Sequence, residues 1–128
     1  MPKVSARVAS GYLYLDAVSS RDLSLAFIEG GKVSRKQSVP SSTRTERLLP
    51  SVVRFLQGRV PSGIVLVQGA GSFTQSRLVV ATANALVYAW GIHVAVVGQG
   101  TTAAGVARKL SRLRFHKVAA PSYRGVRQ

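Results

Sequence analysis

Apolar and polar positions alternate from Gly11 to Val18. Tyr12, Tyr14 and Asp16 fall on one side and Leu13, Leu15 and Ala17 on the other, which is the period of an extended strand. Residues Leu23 to Glu29 repeat the signal, with Leu23, Leu25 and Phe27 opposite Ser24, Ala26 and Ile28. A turn near Ser19 to Arg21 joins the two strands antiparallel, and Glu29-Gly30-Gly31-Lys32 leads into a third strand from Lys32 to Val39. A three-stranded meander is therefore expected in the first third of the chain.

The period then lengthens. Leu48, Leu49, Val52, Val53 and Leu56 make one helical stripe, which places a helix over Glu46 to Gln57. Thr43 and Glu46 have the spacing of a capping box. Pro50 cannot donate to the Glu46 carbonyl, so a late start or a bend is expected there. Gly58 to Gly63 closes the helix, and Ile64 to Val67 is an apolar run of the length of a strand buried on both faces. A glycine loop, Gly69 to Thr74, opens a second helix over Ser76 to Trp90 with Ser72 or Thr74 as its cap. That helix is apolar almost all round, through Leu78, Val79, Ala81, Ala85, Leu86, Val87, Tyr88 and Trp90. The sheet can cover one side of it, and a neighbouring helix or a partner chain must cover the other. Gly91 stops it, His93 to Val97 reads as another buried strand, and Thr101 to Leu113 as an amphipathic helix.

Three antiparallel strands, then two parallel strands reached through crossover helices, make a mixed five-stranded sheet with helices packed on it. The fold class is α/β, a single lobe with the ribonuclease H-like layout. The lobe is expected over residues 11–113, with residues 1–10 as an N-terminal extension and 114–128 as a loosely held basic tail.

A chain of 128 residues fits one such lobe and is too short for two. No apolar run is long enough to span a membrane, and Met1 to Ser10 lacks the apolar stretch of a secretory signal. The absence of cysteine removes disulfides, thiolate nucleophiles and thiolate metal sites together, and a cytoplasmic location is expected. Charge changes the picture more. Eighteen Lys and Arg face four acids, Asp16, Asp22, Glu29 and Glu46, giving a net charge of +14. Such a surplus draws polyanions through long-range attraction and counterion release, which makes RNA, or a protein holding RNA, an expected neighbour. Candidate RNA contacts are Arg108, Lys109, Arg112, Arg114, Lys117, Arg124 and Arg127 in the basic C-terminal third.

Catalytic chemistry does not assemble. Gly69 to Thr74 reads either as an anion-binding loop at a helix start or as a plain tight turn. Gly98-Gln99-Gly100-Thr101-Thr102-Ala103 satisfies the dinucleotide fingerprint formally, but no carboxylate follows it to hold a ribose. Asp16 sits at a strand end where ribonuclease H-like enzymes place a metal-holding acid. It lacks a second acid beside it, so a turn or capping role is expected. His93 and His116 stand apart, and no cofactor or metal site is expected.

Leu13-Tyr14-Leu15-Asp16, the Gly30-Gly31-Lys32 hairpin, Glu46-Arg47-Leu48-Leu49-Pro50 and Gly69-Ala70-Gly71-Ser72-Phe73-Thr74 followed by Arg77 resemble the N-terminal lobe of the TsaB family. The family signature there is Gly-x-Gly-Pro-Gly-Ser-Phe-Thr-Gly-x-Arg, and the resemblance covers residues 11 to 98. The chain departs at Ala70, Gln75 and Val79, and at Ala17-Val18-Ser19-Ser20, where actin-like ATPases carry a glycine and a threonine. The resemblance implies a non-catalytic accessory subunit in tRNA threonylcarbamoyladenosine modification, bound to the enzyme TsaD, or to itself as a homodimer, through two helices packed as a bundle. Carried onto this chain, the partner interface would use Leu49, Val52, Val53, Leu56, Arg77, Val80, Ala81, Asn84 and Tyr88. Two other readings keep the lobe without the modification role: a basic RNA- or ribosome-associated module, and a self-associating structural dimer.

Overall fold

The structure, a computed structural model, describes residues 7–8, 11–16, 22–40, 45–68, 73–98 and 100–117. In chain order the elements are β1 (Arg7–Val8), β2 (Gly11–Asp16), β3 (Asp22–Glu29), β4 (Lys32–Pro40), α1 (Thr45–Leu56), β5 (Arg59–Val60), β6 (Gly63–Gln68), α2 (Phe73–Trp90), β7 (His93–Gly98) and α3 (Ala103–Lys109), followed by a 3-10 turn at Leu110–Arg112. The main sheet runs β4-β3-β2-β6-β7. β2, β3 and β4 are antiparallel, whereas β2, β6 and β7 are parallel, so the expected mixed five-stranded sheet is present. A two-residue parallel pairing of β1 with β5, Arg7 against Arg59 and Val8 against Val60, was not foreseen. It ties part of the expected N-terminal extension to the lobe.

Strand alternation sorts side chains into two cores. Leu13 and Leu15, Leu23, Leu25 and Phe27, and Ile64, Leu66 and Val94 point to one side, where Leu48, Val52, Phe55 and Leu56 of α1 and Val79, Val80, Ala83, Leu86 and Val87 of α2 cover them. Tyr14, Ala26, Ile28, Val65 and Val67 point to the other, under Val106 and Ala107 of α3. β2 and β6 are therefore buried on both faces, and each fully buried aliphatic side chain contributes about 1.5 to 3 kcal/mol of burial. α3 is much shorter than α1 or α2, so the second face is covered only in part.

Glycine supplies the backbone where the chain reverses. Gly30 and Gly31 both have positive φ, 63° and 78°, as a two-residue hairpin of primed type requires. Gly91, at φ 66°, ends α2, and the Ile92 amide donates to the Val87 carbonyl at 3.1 Å, closing a Schellman motif. The Thr102 hydroxyl caps α3 by accepting from the Gly105 amide at 3.0 Å.

Several expectations are corrected. α1 begins at Thr45, ahead of Pro50, and continues through it. The proline removes one hydrogen bond, but buried Leu48, Val52, Phe55 and Leu56 hold the helix on both sides of it. Thr74 lies within α2 rather than at its cap. β7 is an edge strand, with His93 and Val96 exposed, not one buried on both faces. An apolar run does not distinguish a central strand from an edge. The start of the expected loose tail is held: the Phe115 ring lies 5.5 Å from that of Tyr12, and His116 exchanges backbone hydrogen bonds with Val94 at 2.7 Å each way. The Ser19 to Arg21 turn, the Thr43 and Ser72 caps, the Gly69 to Ser72 segment and residues 118–128 lie outside the described residues.

Candidate functional site

Two surfaces are candidates for function. The first is a cleft of about 520 Å³ at the C-terminal ends of the parallel strands. Its floor is the part of the sheet that α3 leaves uncovered, with Tyr14 and Asp16 from β2, Ser24 and Ala26 from β3 and Lys36 and Ser38 from β4; Thr101, Thr102 and Ala103 form a wall. The Tyr14 hydroxyl lies 3.1 Å from Asp16 Oδ2 and 3.0 Å from the Thr101 carbonyl oxygen. A phenol has one proton, so the two acceptors share it. Burial, then the charge of Asp16, then the hydrogen bond to it push the Tyr14 phenol well above its ordinary pKa, and it stays a neutral donor. Asp16 thus accepts from its own strand and links, through Tyr14, to the loop after β7. The loop that directly follows Asp16 lies outside the described residues.

The fingerprint Gly98 to Ala103 forms that β7–α3 connection. Thr101 donates to the Gly98 carbonyl at 2.6 Å and Thr102 caps α3, so both hydroxyls serve the local turn. Among the described residues no three of His, Cys, Asp and Glu come together as a metal-binding group.

The second surface is the outward side of α1 and α2, which lie on the same face of the sheet. On α1, Leu49 is 39% exposed and Val53 43%, one turn apart; on α2, Tyr88 is 91% exposed. Ala81 and Ala85 are exposed on the same α2 stripe as Tyr88, at i, i+4 and i+7. Arg77 is exposed and Asn84 half-buried on that helix. The structure thus brings Leu49, Val53, Arg77, Ala81, Asn84 and Tyr88 to an accessible side. Val52, Leu56 and Val80 are corrected as interface residues: they are buried in the lobe's own core, fully packed against the sheet, and cannot be direct contacts. Phe55, unmentioned by the stripe, is a core anchor, with the Arg35 guanidinium 4.7 Å above its ring and donating to its carbonyl.

Of the candidate RNA contacts, Arg108, Lys109, Arg112, Arg114 and Lys117 are all exposed, while Arg124 and Arg127 lie outside the described residues. No helix among the described residues is long and apolar enough to cross a membrane.

No protein-family model matches the chain, and no curated protein matches it. Solved structures do. YeaZ from Pseudomonas aeruginosa superposes with a TM-score of 0.54 at 24% identity, and a P. aeruginosa protein described as similar to peptidase YeaZ with 0.56 at 27%. Each match covers 70% of this chain and 44% of the other, so the chain spans less than half the length of the YeaZ structures. Thermus thermophilus RuvC in complex with a Holliday junction substrate matches with 0.55 at 13% identity, over 72% of this chain and 66% of RuvC, a likeness of fold alone. Over 70% of its length the chain is TsaB-like, YeaZ being TsaB, and its fold is ribonuclease H-like.

Proposed function

We propose that the chain is a non-catalytic accessory subunit of tRNA threonylcarbamoyladenosine modification in the cytoplasm, holding a TsaD-like enzyme through α1 and α2. The observation that carries the reading is the apolar outward stripe of a TsaB-like lobe: Leu49, Val53, Ala81, Ala85 and Tyr88 on two helices that share one face. The described exposed stripe runs about 16 Å along α2 from Arg77 to Tyr88 and continues onto α1 at Leu49 and Val53. Its alanines allow close helix approach, and Tyr88 offers a large anchor of the kind enriched in interface centres. Arg77 and Asn84 belong to its polar margin.

The non-catalytic part rests on the cleft, where, among the described residues, Asp16 is the carboxylate of the lining and accepts from Tyr14 rather than standing in a group of metal-binding acids. Co-expression with a TsaD-like protein tests the whole. The wild-type chain should co-elute with it, and Val53→Glu or Ala81→Glu should abolish co-elution while leaving the circular dichroism spectrum and Tm near wild type. A chain that stays monomeric and ignores the TsaD-like protein would sink the reading. A homodimer that persists unchanged in its presence would replace it with self-association.

A further inference from the structure

The strand register sorts charge along the sheet. Two neighbouring rungs cross the N-terminal ends of the parallel strands: Lys32 opposite Glu29 and Glu29 opposite Gly11 in one, and Val33 opposite Ile28, Ile28 opposite Tyr12, Tyr12 opposite Gly63 and Gly63 opposite His93 in the next, with Val94 bridged to His116. Arg59 reaches the same end through its 3.5 Å ion pair with Glu29. α3 descends towards it as well, because Phe115 meets Tyr12 there, and Arg112, Arg114 and Lys117 around that contact are exposed.

The acids go the other way. Asp16 pairs with Ser24 and Asp22 with Pro40 at the opposite end of the ladders. Glu46 lies in the first turn of α1, whose far end leads into Arg59. Glu29 is therefore the carboxylate of the basic end among the described residues, and Arg59 already holds it. The lobe is polarised along its strands, with cations contributed by β4, β5 and the segment after α3.

We infer that this end of the sheet binds single-stranded RNA, independently of the helix face. From Lys32 on one edge to the His116 segment beyond the other, five strand spacings separate the cations by about 24 Å, a track long enough for several nucleotides. Separated cations of one sign form a field that a phosphate backbone satisfies and a point anion does not. Tyr12, in the rung next to that of Lys32, and Phe115 against it are half-buried and supply ring faces and edges for unpaired bases, which a duplex would keep stacked on one another. The sequence pointed to RNA only along the C-terminal third. The register adds Lys32 and Arg59 and moves the centre to the sheet end.

The test is fluorescence anisotropy of the full chain with a labelled oligouridine. A Lys32→Glu, Arg114→Glu, Lys117→Glu triple variant should bind about 30-fold or more weakly at ~0.1 M salt and flatten the salt slope by about 2. A comparable charge change away from this end, Lys36→Glu with Gln37→Glu and Arg47→Glu, should stay within about 3-fold of wild type. Trp90, at the end of α2 three residues before His93, gives a second readout: oligouridine should quench its fluorescence, and the first triple variant should lose that response. Equal weakening of both triple variants would reduce the effect to bulk charge and overturn the inference. So would binding to phosphatidylglycerol vesicles without binding to RNA, or no RNA binding by the wild type.

Discussion

Gly11 is the position where the fold leaves least room. It opens β2 at the basic end of the sheet, opposite Glu29. A Cβ added there would stand 2.5 Å from Phe27 Cζ, closer still to Phe27 Cε2, and 2.9 Å from the Ile28 carbonyl oxygen. Two of these obstacles belong to one ring and the third is backbone. The ring cannot simply swing away, because Phe27 is buried and packed in the larger core, with the Arg59 guanidinium 5.5 Å over its face. Overpacking of this kind costs about 1 to 3 kcal/mol, and the backbone contact puts Gly11→Ala at the upper end. For a chain of this length about 3 kcal/mol corresponds to a Tm lowered by roughly 12 °C. The assay is thermal and urea unfolding of Gly11→Ala, Phe27→Leu and the double variant. Since the clash is with one ring, Phe27→Leu should cost less in the Gly11→Ala background than alone, a coupling of about 1 kcal/mol or more. A fall in Tm of under about 3 °C, or costs that simply add, would refute the steric argument.

Tyr14 yields a prediction about pH. Its phenol is held above its ordinary value in the folded chain, so the unfolded chain ionises first and the folded state binds more protons above about pH 10. Stability from this group is complete below that pH and falls as pH rises through it. Tyr14→Phe should lower stability by about 1 to 2 kcal/mol at neutral pH, by removing the donor to Asp16 and Thr101, yet decline less steeply in alkali. Parallel urea midpoints for the two proteins from pH 8 to pH 12 would contradict it. Phe115→Ala should free the segment after α3, at a cost of about 2 kcal/mol from lost ring contact and burial. Hydrogen exchange should then speed at the Val94 amide, which donates to His116, but not at the amides of β2; uniform acceleration would mean global destabilisation instead.

The meander, both parallel strands and all three helices were legible because strand and helix periods differ and each element repeats its period several times. What escaped was position rather than type. The stripe Leu48, Leu49, Val52, Val53, Leu56 is wider than the contact that α1 makes. The helix turns so that Phe55 joins Leu48, Val52 and Leu56 inside, and Leu49 and Val53 are left outside. A pattern of apolar residues marks a face without saying where the sheet ends beneath it. β7 was misplaced for the same reason, since Val94, Val96 and Val97 read alike in sequence and only the strand order makes Val96 an edge residue. The β1–β5 pairing is two residues long, too short to leave any period.

The polarity of the lobe was hidden for a different reason. In sequence, all four acids lie within the first 46 residues, which suggests an acidic first part and a basic remainder. Strand reversal redistributes them: β3 returns Glu29 to the basic end, and β2 carries Asp16 to the other. Lys32, early in the chain, thereby shares an end with Lys117, late in it, and neither belongs to the outward side of α1 and α2. A substitution that loads the helix stripe with charge should therefore leave oligouridine affinity intact, and the basic-end triple variant should leave co-elution with a TsaD-like protein intact. Co-elution and RNA affinity, measured on both sets of variants, separate the two surfaces. Loss of both activities in either set would mean that one surface serves both partners, and the assignment of separate faces would fail.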